Sequence, residues 1–197
     1  MAHYFEYDEK MKSEKRDVKF SILGHSFNLV SDNGVFSKDE LDDGTKTLIE
    51  SAYSYGLKGT ILDLGCGIGT VGIVLKKAIK DIAVTMVDIN PLAVRLANEN
   101  IQNLSLDQIE CFESNGIDKI EKKYNFVLTN PPIRAGKKVV YSFFDGSYEV
   151  LEKNGVLLVV IRKSHGAPSA KTYLENLFGN CEILKRNKGF YILKSVK

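Results

Sequence analysis

The sequence predicts an α/β fold, a doubly wound and mostly parallel sheet, on three observations. Apolar runs of strand length alternate with segments of helical periodicity from residue 59 onward. The first of these runs, Thr60-Ile61-Leu62, leads into the glycine-rich stretch Asp63-Leu64-Gly65-Cys66-Gly67-Ile68-Gly69-Thr70, and a helical segment follows it. The run Val156–Ile161 is apolar throughout, as in a sheet covered on both faces. Successive βα units of this kind imply right-handed crossovers.

The elements follow in order. The 197 residues, 44% apolar, suit one domain with a sizeable core: a polar leader over 1–17, a hairpin and helix over 18–58, and a ligand-binding core over 59–197. Val18–Leu23 and Ser26–Val30 alternate around Gly24-His25, which predicts a β-hairpin with a structural or solvated histidine. Thr45 opens a helix to Tyr55 that buries Leu48, Ile49 and Ala52. Strand Ile61–Leu64 leads to helix Val71–Lys80, and strand Ala83–Val87 to helix Pro91–Asn100, with Asn90 as N-cap and Pro91 at the first helical position. Strand Ile109–Phe112, a short polar helix near Gly116–Lys122 and strand Phe126–Thr129 come next. A helix over Lys138–Glu152, capped by Asn154-Gly155, precedes strand Val156–Ile161. A helix near Ala170–Phe178 and an antiparallel pair, Cys181–Lys185 and Gly189–Lys194, close the chain.

Composition excludes several classes. No apolar run approaches the roughly 20 residues needed to cross a bilayer, and Met1–Glu9 lacks the pattern of a signal peptide. Cys66, Cys111 and Cys181 are scattered, so they read as free thiols in a cytoplasmic protein, with neither a disulfide framework nor a zinc site. Net charge is +2, so any contact with nucleic acid must come from local basic clusters.

The glycine-rich turn can be read in two registers. Four glycines fall within residues 65–72, where the backbone needs positive φ and close approach to a ligand. Gly67–Gly72 satisfies the dinucleotide pattern G-x-G-x-x-G, with Asp88 about twenty residues on. Read from Asp63, the same residues give D-x-G-x-G-x-G, the pattern of S-adenosylmethionine (SAM) sites. A carboxylate before the glycines repels a pyrophosphate but attracts the ammonium of a methionine moiety, directly or through a water, so the SAM register is preferred. Asp63, Gly65, Cys66, Gly67 and Gly69 are then cofactor-binding candidates. Asp88 can accept both ribose hydroxyls, and Ile89 can pack on the adenine face. In Glu113-Ser114-Asn115-Gly116, the Asn115 amide oxygen can accept the adenine amine, with Gly116 beside it.

Asn130-Pro131-Pro132-Ile133 follows the fourth core strand and makes the chemistry legible. Two prolines fix the backbone and remove two donors, leaving a turn that presents acceptors. The Asn130 side-chain oxygen and the Pro131 carbonyl can accept both hydrogens of one planar exocyclic amine. That contact favours tetrahedral nitrogen and frees its lone pair for in-line attack on a sulfonium methyl, with no metal required. Asn130, Pro131 and Pro132 are the catalytic candidates.

With these residues in place the chain resembles the class I SAM-dependent methyltransferases that methylate amines. More narrowly, Gly34–Ser37, Leu41–Thr45 and Asn130–Lys137 resemble the small-subunit ribosomal RNA guanine-N2 methyltransferases and their stand-alone single-domain relatives. The resemblance implies a Rossmann-like seven-stranded sheet of order 3-2-1-4-5-7-6 with the last strand antiparallel. It also implies that Phe36 and Thr45 lie near the cofactor and that ribosomal RNA or the small ribosomal subunit is the partner. The chain departs from that family in carrying Asn115 where many relatives have Asp, and Ile133 where an aromatic residue commonly stacks on the target base. Ile133, Arg134 and Lys137, with Lys138, flank the catalytic turn, while Arg162, Lys163 and His165 follow the fifth core strand on the same edge. These basic residues are candidates for clamping RNA phosphates. His165 is a candidate base, although the amine proton can leave to water. Three alternatives stay open: an amino-methyltransferase of protein glutamine or adenine, an NAD-binding oxidoreductase, and a non-catalytic RNA-binding factor.

Overall fold

The structure is a computed structural model that describes residues 14–35 and 41–197. Residues 1–13 of the leader, and Phe36 with its neighbours 37–40, lie outside the described residues. The elements are β1 (Arg16–Ile22), β2 (His25–Ser31), α1 (Asp43–Tyr55), β3 (Gly59–Leu64), α2 (Thr70–Ala78), β4 (Ile82–Asp88), α3 (Pro91–Asn103), β5 (Ile109–Glu113), β6 (Tyr124–Thr129), α4 (Lys137–Val150), β7 (Leu151–Arg162), α5 (Ala167–Phe178), β8 (Glu182–Asn187) and β9 (Phe190–Val196). Seven strands form one sheet in the order β5-β4-β3-β6-β7-β9-β8. Counted from β3 this is the expected order 3-2-1-4-5-7-6, with β9 antiparallel to both of its neighbours.

Alternation along the buried strands divides the core in two. On β7, Leu158 and Val160 face the core beneath α1, α2 and α3, while Leu157, Val159 and Ile161 face the one beneath α4 and α5. Close packing makes one glycine obligatory. A Cβ on Gly72 would lie 2.5 Å from Met86 Sδ, so α2 approaches β4 only because that position has no side chain.

The hairpin β1–β2 packs on the α2–α3 side. Asn100 of α3 is buried, accepts the Val30 N–H at 2.7 Å, and donates Nδ2 to the carbonyls of Val30 and Ile68 at 3.1 Å each. One amide thus satisfies the open edge of β2 and a carbonyl of the glycine-rich turn.

Five local expectations are corrected. The hairpin turns at Leu23-Gly24, both at positive φ, so His25 belongs to β2. The leader ends earlier than residue 17, because Arg16 and Asp17 already pair with Ser31 and Val30. Helix α1 starts before Thr45, because Asp42 caps it by accepting the N–H groups of Gly44 and Thr45 at 3.0 Å each. Residues 116–122 are not a helix. Ser114 Oγ donates to Gly116 O and accepts the Lys119 N–H, and this side-chain competition leaves isolated turns. Asn154-Gly155 does not cap α4, which ends at Val150. The chain enters β7 at Leu151, and the pairing with β6 slips between Tyr124 and Phe126 to absorb residues 152–155.

Candidate active site

The carboxyl ends of β3, β4, β6 and β7 open on one cleft of about 1370 Å³, the crevice where doubly wound sheets bind ligands. The turn after β3 forms one side. Gly65 and Cys66 donate their N–H groups to Val87 O at 2.9 and 3.0 Å, and Gly67 donates to Asp88 Oδ2 at 2.8 Å, so the turn is pinned to β4. Gly65, Cys66 and Gly67 line the cleft. Gly69, at φ 86, caps α2 with its backbone packed against Ile73 and Met86, and so supports the turn from behind.

Two carboxylates face this cleft. Asp63 is 2% exposed and accepts the Gly72 N–H at 2.9 Å on Oδ2. Burial pushes its carboxyl up to about 7; the Gly72 N–H opposes the shift and the Asp88 charge adds to it. Burial also raises Asp88, opposed by the N–H groups of Asn90, Gly67 and Ile89. Their ionised forms are under-solvated, which disfavours a pyrophosphate and suits a ligand bringing positive charge and hydroxyl donors. The Cys66 thiol is pushed up by its hydrogen bond with Cys111, Sγ to Sγ 3.8 Å, and by burial. It lines the cleft as a neutral apolar group.

Ile89 adjoins Asp88 on the wall, with Asn115 and Gly116 just beyond the end of the neighbouring strand β5. Asn115 donates Nδ2 to Asp118 Oδ2 at 3.2 Å, which leaves its amide oxygen as the acceptor at this edge.

The Asn-Pro-Pro turn stands at the end of β6. Thr129 Oγ1 donates to Leu64 O at 2.8 Å inside the sheet and fixes the strand end. Asn130 Nδ2 donates to Thr45 Oγ1 at 3.0 Å, so the side-chain oxygen of Asn130 is the atom that remains for a ligand. Pro131 is buried, and Pro132 begins the 3₁₀ turn Ile133–Ala135, its carbonyl accepting the Ala135 N–H at 2.9 Å. Asn130, Pro131, Pro132 and Thr45 all line the cleft.

Of the flanking candidates, Ile133, Arg134, Arg162 and His165 reach the cleft wall. Lys137 belongs to a neighbouring pocket of about 150 Å³, its Nζ 5.1 Å from the Tyr141 ring centroid. Lys138 and Lys163 are exposed beyond the wall. Sequence reasoning missed Asp42, Phe143 and Phe190, which also line the cleft. The signal for Phe190 was the antiparallel last strand, which puts its first residue at the carboxyl edge of its parallel neighbours. Among the described residues no group of three or more His, Cys, Asp or Glu could hold a metal ion, and no helix is long and apolar enough to cross a membrane.

A small molecule that suits this cleft carries cationic groups for Asp63 and a vicinal diol for Asp88; SAM has both. The class that this fold and site define is the SAM-dependent methyltransferases. The chain belongs to the methyltransferase small domain family, whose profile matches residues 26–194. It is 41% identical over 197 residues to the uncharacterized protein YbxB of Bacillus subtilis, covering 99% of this chain and 98% of that one. It is 33% identical over 189 residues to ribosomal RNA small subunit methyltransferase C of Aliivibrio fischeri, covering 92% of this chain and 53% of the relative. The chain therefore spans about half the length of that curated methyltransferase. Among solved structures, the T. thermophilus 16S rRNA N2 G1207 methyltransferase in complex with AdoMet and guanosine superposes with a TM-score of 0.83 at 23% identity, covering 93% of this chain and 50% of that one. At that identity the likeness speaks to the fold.

Proposed function

We propose that this protein transfers a methyl group from SAM to an exocyclic amine, guanine N2 of small-subunit ribosomal RNA, in the cytoplasm. The observation that carries the reading is the oriented amide of Asn130. Its nitrogen is held by Thr45, so its oxygen is fixed as an acceptor beside the rigid Pro131-Pro132 turn. The names of the ribosomal RNA methyltransferases that the chain matches support the same substrate class.

SAM bound in the cleft supplies an electrophilic methyl on a sulfonium. Asp63 would face its ammonium group and Asp88 its ribose hydroxyls, with Ile89 and Asn115 at the adenine. Asn130 Oδ1 and the Pro131 carbonyl accept the two amine hydrogens and so orient the nitrogen lone pair toward the methyl. They also stabilise the positive charge that grows on nitrogen. The proton then leaves to water at the cleft mouth, where His165 is exposed. Arg134 and Arg162 stand at that mouth, placed to meet RNA phosphates or bases.

The experiment is methylation with labelled SAM of ribosomal RNA, both naked and in small subunits, followed by mapping of the modified nucleotide. Label on a guanine N2 supports the reading. Label on protein glutamine or on adenine, with none on guanine, sinks the substrate assignment while leaving the chemistry of the turn intact. Calorimetric preference for NAD over SAM sinks both.

A further inference from the structure

The strand that closes the sheet brings to the cleft an aromatic ring that the Asn-Pro-Pro turn lacks. Strand β9 runs antiparallel to β7, so its first residue, Phe190, pairs with Arg162, the last residue of β7. The Arg162 guanidinium carbon lies 5.2 Å from the Phe190 ring centroid, and both residues line the cleft together with Asn130 and Ile133. The ring also rests against the start of α1. A Cβ added at Gly44 would lie 2.9 Å from Phe190 Cε1.

The turn carrying this ring is fastened to the same helix. Asn187 Nδ2 donates to Thr47 Oγ1 at 3.0 Å, and Lys188 pairs with Asp43 at 2.8 Å. Thr45, between these two anchors, orients Asn130. One helix start therefore sets the position of Phe190 relative to the amine acceptor.

Phe190 is half-buried and Arg162 is exposed, so the pair is not simply core packing. A guanidinium held beside an aromatic ring at the mouth of a cleft makes, with that ring, a surface on which a flat heteroaromatic ring can stack. Ile133, the residue after the two prolines, offers only aliphatic contact.

We propose that Arg162 and Phe190 form the stacking wall for the acceptor base, supplying the π contact that Ile133 lacks. The proposal rests on the reading above that the acceptor is an amine on a nucleobase. It makes Arg162 a base-contacting residue as well as a cation at the rim.

The test uses the full chain loaded with S-adenosylhomocysteine, titrated with guanosine by calorimetry, alongside steady-state methylation of small-subunit ribosomal RNA. Phe190→Leu keeps apolar volume and removes the ring; Arg162→Lys keeps the charge and removes the plane. Each variant is expected to weaken guanosine binding and raise KM for RNA about tenfold or more, the scale of one lost stacking contact. SAM affinity should stay within about twofold, which also reports an intact fold. Phe190→Tyr, which retains the ring, should recover most of what Phe190→Leu loses. Arg162→Lys at full activity together with a silent Phe190→Leu would overturn the proposal, leaving Arg162 a phosphate contact. If the unsubstituted protein binds no guanosine and labels protein instead of RNA, the substrate reading has failed first, before any variant is compared.

Discussion

Asn130 and Thr45, 85 residues apart, meet through an Nδ2–Oγ1 hydrogen bond of 3.0 Å. An amide free to rotate would present nitrogen and oxygen alternately, and only the oxygen can accept an amine hydrogen. Thr45 removes that ambiguity. Its own place is set by the Asp42 carboxylate, which accepts the Thr45 N–H at 3.0 Å. The Asn-Pro-Pro turn at the end of β6 is thus oriented from the start of α1.

Asn130→Ala should abolish turnover and leave SAM affinity within about threefold, since the lost contact acts on the amine and its growing charge. Thr45→Val should lower kcat by roughly 10- to 100-fold with little change in SAM affinity, because the amide loses its orienting partner. Thr45→Ser, which keeps the hydroxyl, should recover most of that loss. Single-turnover rates with bound SAM measure all three. Full activity in Thr45→Val would show that Asn130 needs no orientation from α1.

Asp63 carries a cost in stability that its proposed place at the SAM ammonium would explain. Its carboxyl titrates at about 7 in the fold against 3.8 for the ordinary group. Between those values the folded state binds more protons than the unfolded one, so this residue makes stability fall as pH rises through the window from about 4 to 7. Above it, the buried charge costs up to roughly 4 kcal/mol relative to a protonated group. Asp63→Asn keeps an acceptor for the Gly72 N–H and removes the charge. Without SAM, the variant should be more stable than the parent protein at pH 8, and the gap should shrink toward pH 4. Urea unfolding across that range decides it; parallel stability profiles would refute the assignment.

On the proposed role of Asp63 at the SAM ammonium, the same carboxylate should give SAM binding a pH dependence of opposite sign. The ligand's ammonium favours ionised Asp63, so below about 7 binding must expel a proton. Affinity should therefore fall as pH drops from 7 to 5.5, by a factor approaching about tenfold per unit. Calorimetry at pH 6 in buffers of different ionisation enthalpy should record proton release, and Asp63→Asn should lose most of it. A binding enthalpy independent of buffer would mean that Asp63 does not change its charge state on binding.

Much of this arrangement was legible in the residues. Strand-length apolar runs alternating with helical ones lead to the doubly wound sheet, and Asn90 caps α3 by accepting the Leu92 N–H at 2.9 Å, as its place before Pro91 suggests. Asp63, Gly65, Gly67, Asp88 and Asn130 converge on one cleft because each lies at or just beyond the carboxyl end of a parallel strand. What sequence order could not convey was contact across the chain. Nothing local marks Thr45 as the partner of Asn130, or places Phe190 beside Arg162. Local reading also failed where side chains compete with the backbone, as Ser114 does over residues 116–119. It failed again where a strand begins in polar residues, as β7 does at Glu152–Asn154.

Arg134 and Lys137, three positions apart, are two different kinds of basic residue. Arg134 is exposed and lines the cleft, whereas Lys137 lies over the Tyr141 ring in the adjoining pocket. If Arg134 neutralises an RNA phosphate, Arg134→Gln should weaken RNA binding about equally for all sequences. It should also reduce the slope of log affinity against log salt by about 0.7 to 0.9, one released counterion. Lys137→Gln should change the slope by less, because its ammonium is partly engaged by the ring. Filter binding of small-subunit ribosomal RNA from roughly 50 to 200 mM salt measures both. Equal slopes in the parent protein and Arg134→Gln would remove Arg134 from the phosphate-contacting set and assign RNA attraction to other cations on that edge.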